Sequence, residues 1–151
     1  MKVVKIVLVV MLVALVGIQF FPTTRNQSDI VPSTDFISTY NPPKEIEGIL
    51  RTSCYDCHSN NTDYPWYNKI QPVSWFLESH IKEGKDELNF NEFASYSERR
   101  QKGKLKAILD EVAHDKMPLD SYTLIHTDAK LSENDKKAMD DWINLILKNY
   151  K

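Results

Sequence analysis

Residues 54–58 read Cys54-Tyr55-Asp56-Cys57-His58, and they hold both cysteines of the 151-residue chain. Two thiols separated by two residues and followed at once by an imidazole form the attachment pattern of a c-type haem. The spacing has a chemical reason. Two vinyl groups on one edge of a porphyrin form thioethers with two sulfurs, and two intervening residues let a single backbone turn reach both. The adjacent His58 then faces the ring and brings an imidazole nitrogen to the iron. With two Cys and four His placed at random in this chain, the arrangement arises about once in 3,000 shuffles, so coincidence is a poor account of it.

Other chemistries of the same residues fit less well. A thioredoxin-like dithiol sits after a strand in a βαβ unit, and no segment here alternates with the period of a strand. A zinc site needs four ligands, usually with a second Cys or His pair at short spacing. The remaining histidines, His80, His114 and His126, stand singly. A disulfide between Cys54 and Cys57 would be strained and would close almost no loop. One covalent haem c, held by Cys54 and Cys57 with His58 on the iron, is the expected cofactor.

The second axial position sets what such a haem can do. A sixth ligand favours electron transfer, whereas an open or labile position admits gas binding or peroxide chemistry. Met117, in Lys116-Met117-Pro118-Leu119, is the leading candidate, because Pro118 stiffens the loop that carries it. A thioether is a soft ligand that stabilises the ferrous iron. A gap-filling core methionine is the alternative for Met117. His80 is the rival ligand, on the apolar face of a helix, followed by His126 in a loop and His114 after a polar turn.

Outward from the motif, the pattern is helical. Pro43 suits a first helical turn, and Ile46, Ile49 and Leu50 follow at helical spacing up to Arg51. Pro72 opens a second segment in which Val73, Phe76, Leu77, His80 and Ile81 share a face, ending near Gly84. A third begins at Ser97, an N-cap residue, carries Leu105, Ile108, Leu109 and Val112, and stops before Met117 because Pro118 disfavours helix at the residue ahead of it. Ser132 caps a last helix with acid in its first turn and an apolar stripe of Ala138, Met139, Trp142, Ile143 and Ile146. The expected fold is all-α: a small cytochrome c-like helical domain over residues 43–151. Trp66, Tyr67, Trp75 and Phe76 could wall a porphyrin, and Arg51, Arg99 and Arg100 could pair with its propionates, although solvated helix-face charge suits each arginine better.

At the other end, Lys2 and Lys5 precede an apolar run, Ile6 to Phe21, broken only by Gly17 and Gln19. Basic residues followed by an apolar stretch suggest a signal anchor or transmembrane helix over residues 1–21. With Val3 and Val4 counted and Lys5 snorkelling, the run just reaches a spanning length. No small-residue cleavage site follows it, which favours an uncleaved anchor. The two lysines then stay cytoplasmic, so the rest is expected on the periplasmic or extracytoplasmic side of a single-pass cell-membrane protein. Residues 22–42 are polar, contain Pro22, Pro32 and Pro42, and read as a linker, with Phe36, Ile37 and Tyr40 as residues that could dock. The net charge is -2, and -4 without residues 1–21. A mildly acidic body excludes nucleic acid as a partner. Four scattered glycines leave no phosphate-binding loop.

With the haem motif and Met117-Pro118 both present, the chain resembles the single-haem c-type cytochromes, and more closely the bacterial haem-binding domain family. The resemblance covers roughly residues 45–147. It rests on Cys54-Tyr55-Asp56-Cys57-His58-Ser59-Asn60, Tyr64-Pro65-Trp66-Tyr67, Pro72-Val73-Ser74-Trp75, Met117-Pro118-Leu119, Ser121-Tyr122 and Asp141-Trp142. It implies covalent haem, export and a helical cytochrome-like fold, without a settled reaction. The expected function is a membrane-tethered single-electron carrier with His58 and Met117 on the iron and redox proteins as partners. A haem-based sensor with a displaceable distal ligand is the alternative, and a peroxidase-type enzyme comes third.

Overall fold

The structure, a computed structural model, describes residues 1–28 and 30–150. Among these residues the chain is all-α, without a strand. The helices are α1 (Lys2–Ile18), α2 (Phe36–Tyr40), α3 (Lys44–Ser53), α4 (Tyr55–His58), α5 (Val73–Glu87), α6 (Glu98–Ala113), α7 (Asp120–Thr123) and α8 (Glu133–Leu147). Short 3-10 turns at Trp66–Lys69, Phe90–Ser95 and Thr127–Ala129 join them.

Local chemistry explains the boundaries of the longer helices. Pro43 is the N-cap of α3, and Glu45 and Glu47 lie in its first turn, where carboxylates meet the positive end of the helix dipole. Ser97 caps α6 by accepting from the Arg100 N–H. Ser132 and Asp135 form a reciprocal capping box at the start of α8. α6 closes with a Schellman turn: Lys116 N–H donates to Glu111 O at 2.9 Å and Asp115 N–H to Val112 O at 3.3 Å. That turn needs a left-handed residue, and Asp115 supplies it with φ 55°. The reversal delivers Met117 back towards the body, where its own N–H also reaches Glu111 O at 3.2 Å.

The core lies where α8 packs on α6 and α3, with α2 and the 90–95 turn closing one end. Phe36, Leu50, Phe93, Leu105 and Ile143 are fully enclosed. Burial of each such side chain contributes about 1.5–3 kcal/mol. A polar hub sits beside this apolar mass. Asp35 is buried and its carboxylate accepts from Ser38 N–H at 3.0 Å, Tyr55 O–H at 3.0 Å and Asn91 Nδ2 at 2.9 Å. The Tyr55 ring stacks on Phe90 with centroids 5.0 Å apart, which pins α4 to the core.

The N-terminal anchor expected over residues 1–21 is corrected by the structure. α1 ends at Ile18, and its 17 residues rise only about 25 Å against a hydrocarbon core of about 30 Å. No helix among the described residues is long and apolar enough to cross a membrane. The apolar run does not continue as helix to Phe21: Gln19 is the C-cap, where Nε2 donates back to Leu15 O at 2.9 Å and the side chain also pairs with the body. Its Oε1 accepts from Gln71 N–H at 2.9 Å and its Nε2 donates to Gln71 O at 3.1 Å. The tether, the membrane as partner, and the single-pass placement with its periplasmic or extracytoplasmic domain all rested on that span and fall with it.

Residues 22–28 and 30–42, read as linker, lie along the body. Asn26 donates to Ser59 O at 2.8 Å and to Thr62 Oγ1 at 3.0 Å, Ser28 N–H donates to Asn61 Oδ1 at 2.7 Å, and Phe36 is in the core. Polar composition stands for a linker only when its hydrogen bonds go to water. Here those of Asn26 and Ser28 go to the loop after α4, and those of Thr23 and Thr34 to Ser74 and Asn91.

α4 and α5 meet at Gly84, where an added Cβ would stand 2.9 Å from the Cys57 carbonyl oxygen. Since the obstacle is backbone, Gly84→Ala is expected to cost about 1–3 kcal/mol in urea unfolding. Gly103, inside α6, has nothing within 4 Å of such a Cβ. Gly103→Ala should therefore stabilise by about 0.5–1 kcal/mol in the same assay. Equal effects of the two substitutions would contradict the close approach.

Candidate functional site

The turn at residues 54–58 is a single helical turn. Cys54 ends α3 and is the N-cap of α4, and its carbonyl accepts from Cys57 N–H at 3.3 Å and His58 N–H at 3.0 Å. Positions three and four apart in such a turn are neighbours, so Cys54, Cys57 and His58 lie close together on it; Cys54 and His58 line one cavity and Cys57 another. The sulfurs are free thiols.

His58 is oriented by the end of α5. Its Nδ1 lies 2.9 Å from the Leu88 carbonyl, which accepts only, so Nδ1 carries the proton and Nε2 keeps its lone pair. Burial holds the imidazole below its ordinary pKa, although hydrogen bonding to the Leu88 and Gly84 carbonyls works the other way. A neutral ring with a free Nε2 is the metal-binding form of histidine.

A cavity of about 360 Å³ opens on this ring. Cys54, His58 and Met117 line it together with Leu88, Phe90, Ala107, Ile108 and Val112. Its rim carries Lys104, which pairs with Glu87 at 3.3 Å, and also Glu111. The structure thus brings Cys54, His58 and Met117 to one apolar space. Neither His80 nor His126 lines it. They lie on a second cavity, of about 200 Å³, which Cys57 shares with Tyr67, Phe76 and Tyr122. In that second space Tyr67 Oη is 2.9 Å from His126 Nε2, and Tyr122 stacks on His126 at 4.4 Å. His80 Nδ1 is turned to the Phe76 carbonyl of its own helix at 2.8 Å, and His114 Nδ1 to Asp110 O at 2.8 Å.

Several residues were not legible in the sequence. Phe90 walls the His58 cavity, yet it lies in a 3-10 turn with no helical rhythm to mark it. Lys104 is the cation at the rim, while Arg51 pairs with Glu47 at 2.8 Å and Arg100 lies over the Tyr96 ring at 3.9 Å. Trp66 is 76% exposed and walls neither cavity. The aspartate between the cysteines is structural: Asp56 Oδ1 accepts from Asp63 N–H at 3.1 Å and Oδ2 from Tyr122 O–H at 2.7 Å.

The donor set fits a haem. An imidazole with one nitrogen tied to a carbonyl shares one apolar space with a thioether, and two thiols stand on the turn that bears the imidazole; groups of these kinds suit a porphyrin and its iron. No group of three or more His, Cys, Asp or Glu side chains suited to a bare metal ion occurs among the described residues.

Comparison with known proteins agrees. The haem-binding domain family matches residues 13–145. The chain belongs to the haem-binding domain family. No curated protein matches it, and no solved structure matches it. Haem binding and an all-α domain therefore stand, and the likeness to cytochrome c is a matter for the site residues themselves.

The thiols argue against a dithiol redox centre. Burial is the largest cause in each case, pushing Cys54 up to about 12 and Cys57 up to about 11, whereas a reactive dithiol needs a lowered value. In the chain without haem at pH 8, the thiolate fraction should be on the order of 0.1% or less at both, against about a quarter for a free cysteine. Iodoacetamide should then alkylate both at least tenfold more slowly in the folded chain than in urea, by peptide mass mapping. Equal rates would show that the turn is open to solvent.

Proposed function

We propose that this haem-binding domain carries one haem c, joined by thioethers to Cys54 and Cys57, with His58 Nε2 and Met117 Sδ as axial ligands, and that it exchanges single electrons. The observation that carries the reading is the common apolar cavity of His58, Met117 and Cys54, with the His58 ring already turned by Leu88 O. When bound, the haem supplies reversible one-electron chemistry at iron.

The chain's own residues account for the rest. Leu88 O holds the Nδ1 proton, which fixes the ring orientation and raises the basicity of Nε2. Leu88, Phe90, Ile108 and Val112 give the cavity apolar walls, which keep water from the metal and disfavour added charge. Met117 offers a neutral sulfur, so reduction brings no unpaired anion into this space. Among the described residues Lys104 is the lysine that lines this cavity, and it would offer a cation to an acidic group of a bound ring.

Met117→Ala tests the assignment. In the haem-loaded wild type, the ferric spectrum should contain the weak sulfur-to-iron charge-transfer band at its red edge, and the variant should lose it while keeping its haem. The variant's reduction potential should also fall, because the ligand that favours the ferrous state is gone. A wild-type spectrum without the band, and unchanged by the substitution, would exclude Met117 as ligand.

A further inference from the structure

Met117 lies in a stretch that the core does not hold. From Ala113 to Asp128 no residue is buried, and Leu124 and Ile125 are exposed. A ligand loop with so little apolar burial must be placed by other means. Among the described residues, two side-chain hydrogen bonds link residues 118–128 to the rest of the body. One is His126 Nε2 to Tyr67 Oη at 2.9 Å. The other runs from Tyr122 O–H to Asp56 Oδ2 at 2.7 Å, with Thr52 O a distant second acceptor at 3.4 Å.

The second bond is notable for where it ends. Asp56 lies between Cys54 and Cys57, and the Asp63 N–H on its other oxygen holds its carboxylate in place. Tyr122 lies five residues after Met117, on α7, and its ring is supported by the stacked imidazole of His126. A hydrogen bond to a carboxylate is stronger than one between neutral groups. It joins the turn that bears His58 directly to the loop that bears Met117.

We infer that Tyr122 is a positioning residue, whose hydrogen bond to Asp56 clasps the Met117 loop to the haem-attachment turn and keeps the sulfur on the iron. The inference rests on the His58 and Met117 ligation proposed above. Without the clasp the loop keeps its Schellman turn and Tyr67–His126 contact but gains freedom at α7, so Met117 yields more readily to a competing ligand.

The test uses the full chain carrying its haem, in the ferric state, titrated with imidazole, which competes for the position of Met117. Tyr122→Phe removes one oxygen, and far-UV circular dichroism monitors the fold. The expected result is at least a tenfold gain in apparent imidazole affinity with helix content unchanged. Asp56→Asn, which keeps an acceptor oxygen, should shift the affinity less, and the double variant should go no further than Tyr122→Phe alone. An affinity for Tyr122→Phe within twofold of the wild type would overturn the clasp. Met117→Ala in the same titration separates the two ideas. If it binds imidazole as the wild type does, the ligation itself is wrong and the clasp falls with it. Should Tyr122→Phe lose its helices, Asp56→Ala takes its place with the same two outcomes.

Discussion

The close approach of α5 to α4 at Gly84 is the constraint on which the site depends. The missing side chain lets α5 run against the Cys57 carbonyl, and one turn later the same helix ends at Leu88. Its carbonyl oxygen is then 2.9 Å from His58 Nδ1. A backbone acceptor has no rotamer, so the ring orientation is inherited from helix packing rather than from a second side chain. α4 is fixed a second time, by the Tyr55 ring on Phe90 and the Tyr55 hydroxyl on Asp35. The turn that presents two thiols and an imidazole is thus held by more than one neighbour before any ligand arrives.

The two sides of the cavity differ in kind. On the His58 side the support is core: α4, α5 and the 90–95 turn, with Asp35, Asn89 and Asn91 buried and hydrogen-bonded. No buried side-chain polar atom among the described residues lacks a partner. On the Met117 side the support is a Schellman turn and two part-buried polar bonds. Local opening concentrates where apolar contacts are few, so the Met117 side is the more easily opened of the two.

How much of this was legible beforehand varied with the physics involved. α3, α6 and α8 announce themselves through Pro43, Ser97 and Ser132 and through apolar residues at helical spacing, because caps and periodicity are local. The single turn that carries Cys54, Cys57 and His58 follows from local spacing for the same reason. Phe90 and Phe93 were missed because a 3-10 turn has no period to betray it, and the Asp35 hub because it joins residues far apart in sequence. α1 misled. Counting apolar residues from Val3 to Phe21 assumes one continuous helix, but Gln19 exchanges hydrogen bonds with the Gln71 backbone and the helix stops at Ile18. Residues 22–28 look like a tether for a related reason: their composition is polar, and only the fold reveals that Asn26 and Ser28 spend those groups on the loop after α4.

Covalent attachment through Cys54 and Cys57 is the claim that everything else presupposes. It is tested most directly by unfolding the haem-loaded full chain, extracting it with acidified acetone, and recording the pyridine haemochrome of protein and extract. The account predicts that one haem per chain stays with the protein, with the absorption of a ring whose vinyl groups have been saturated. Haem that passes wholly into the extract would contradict it.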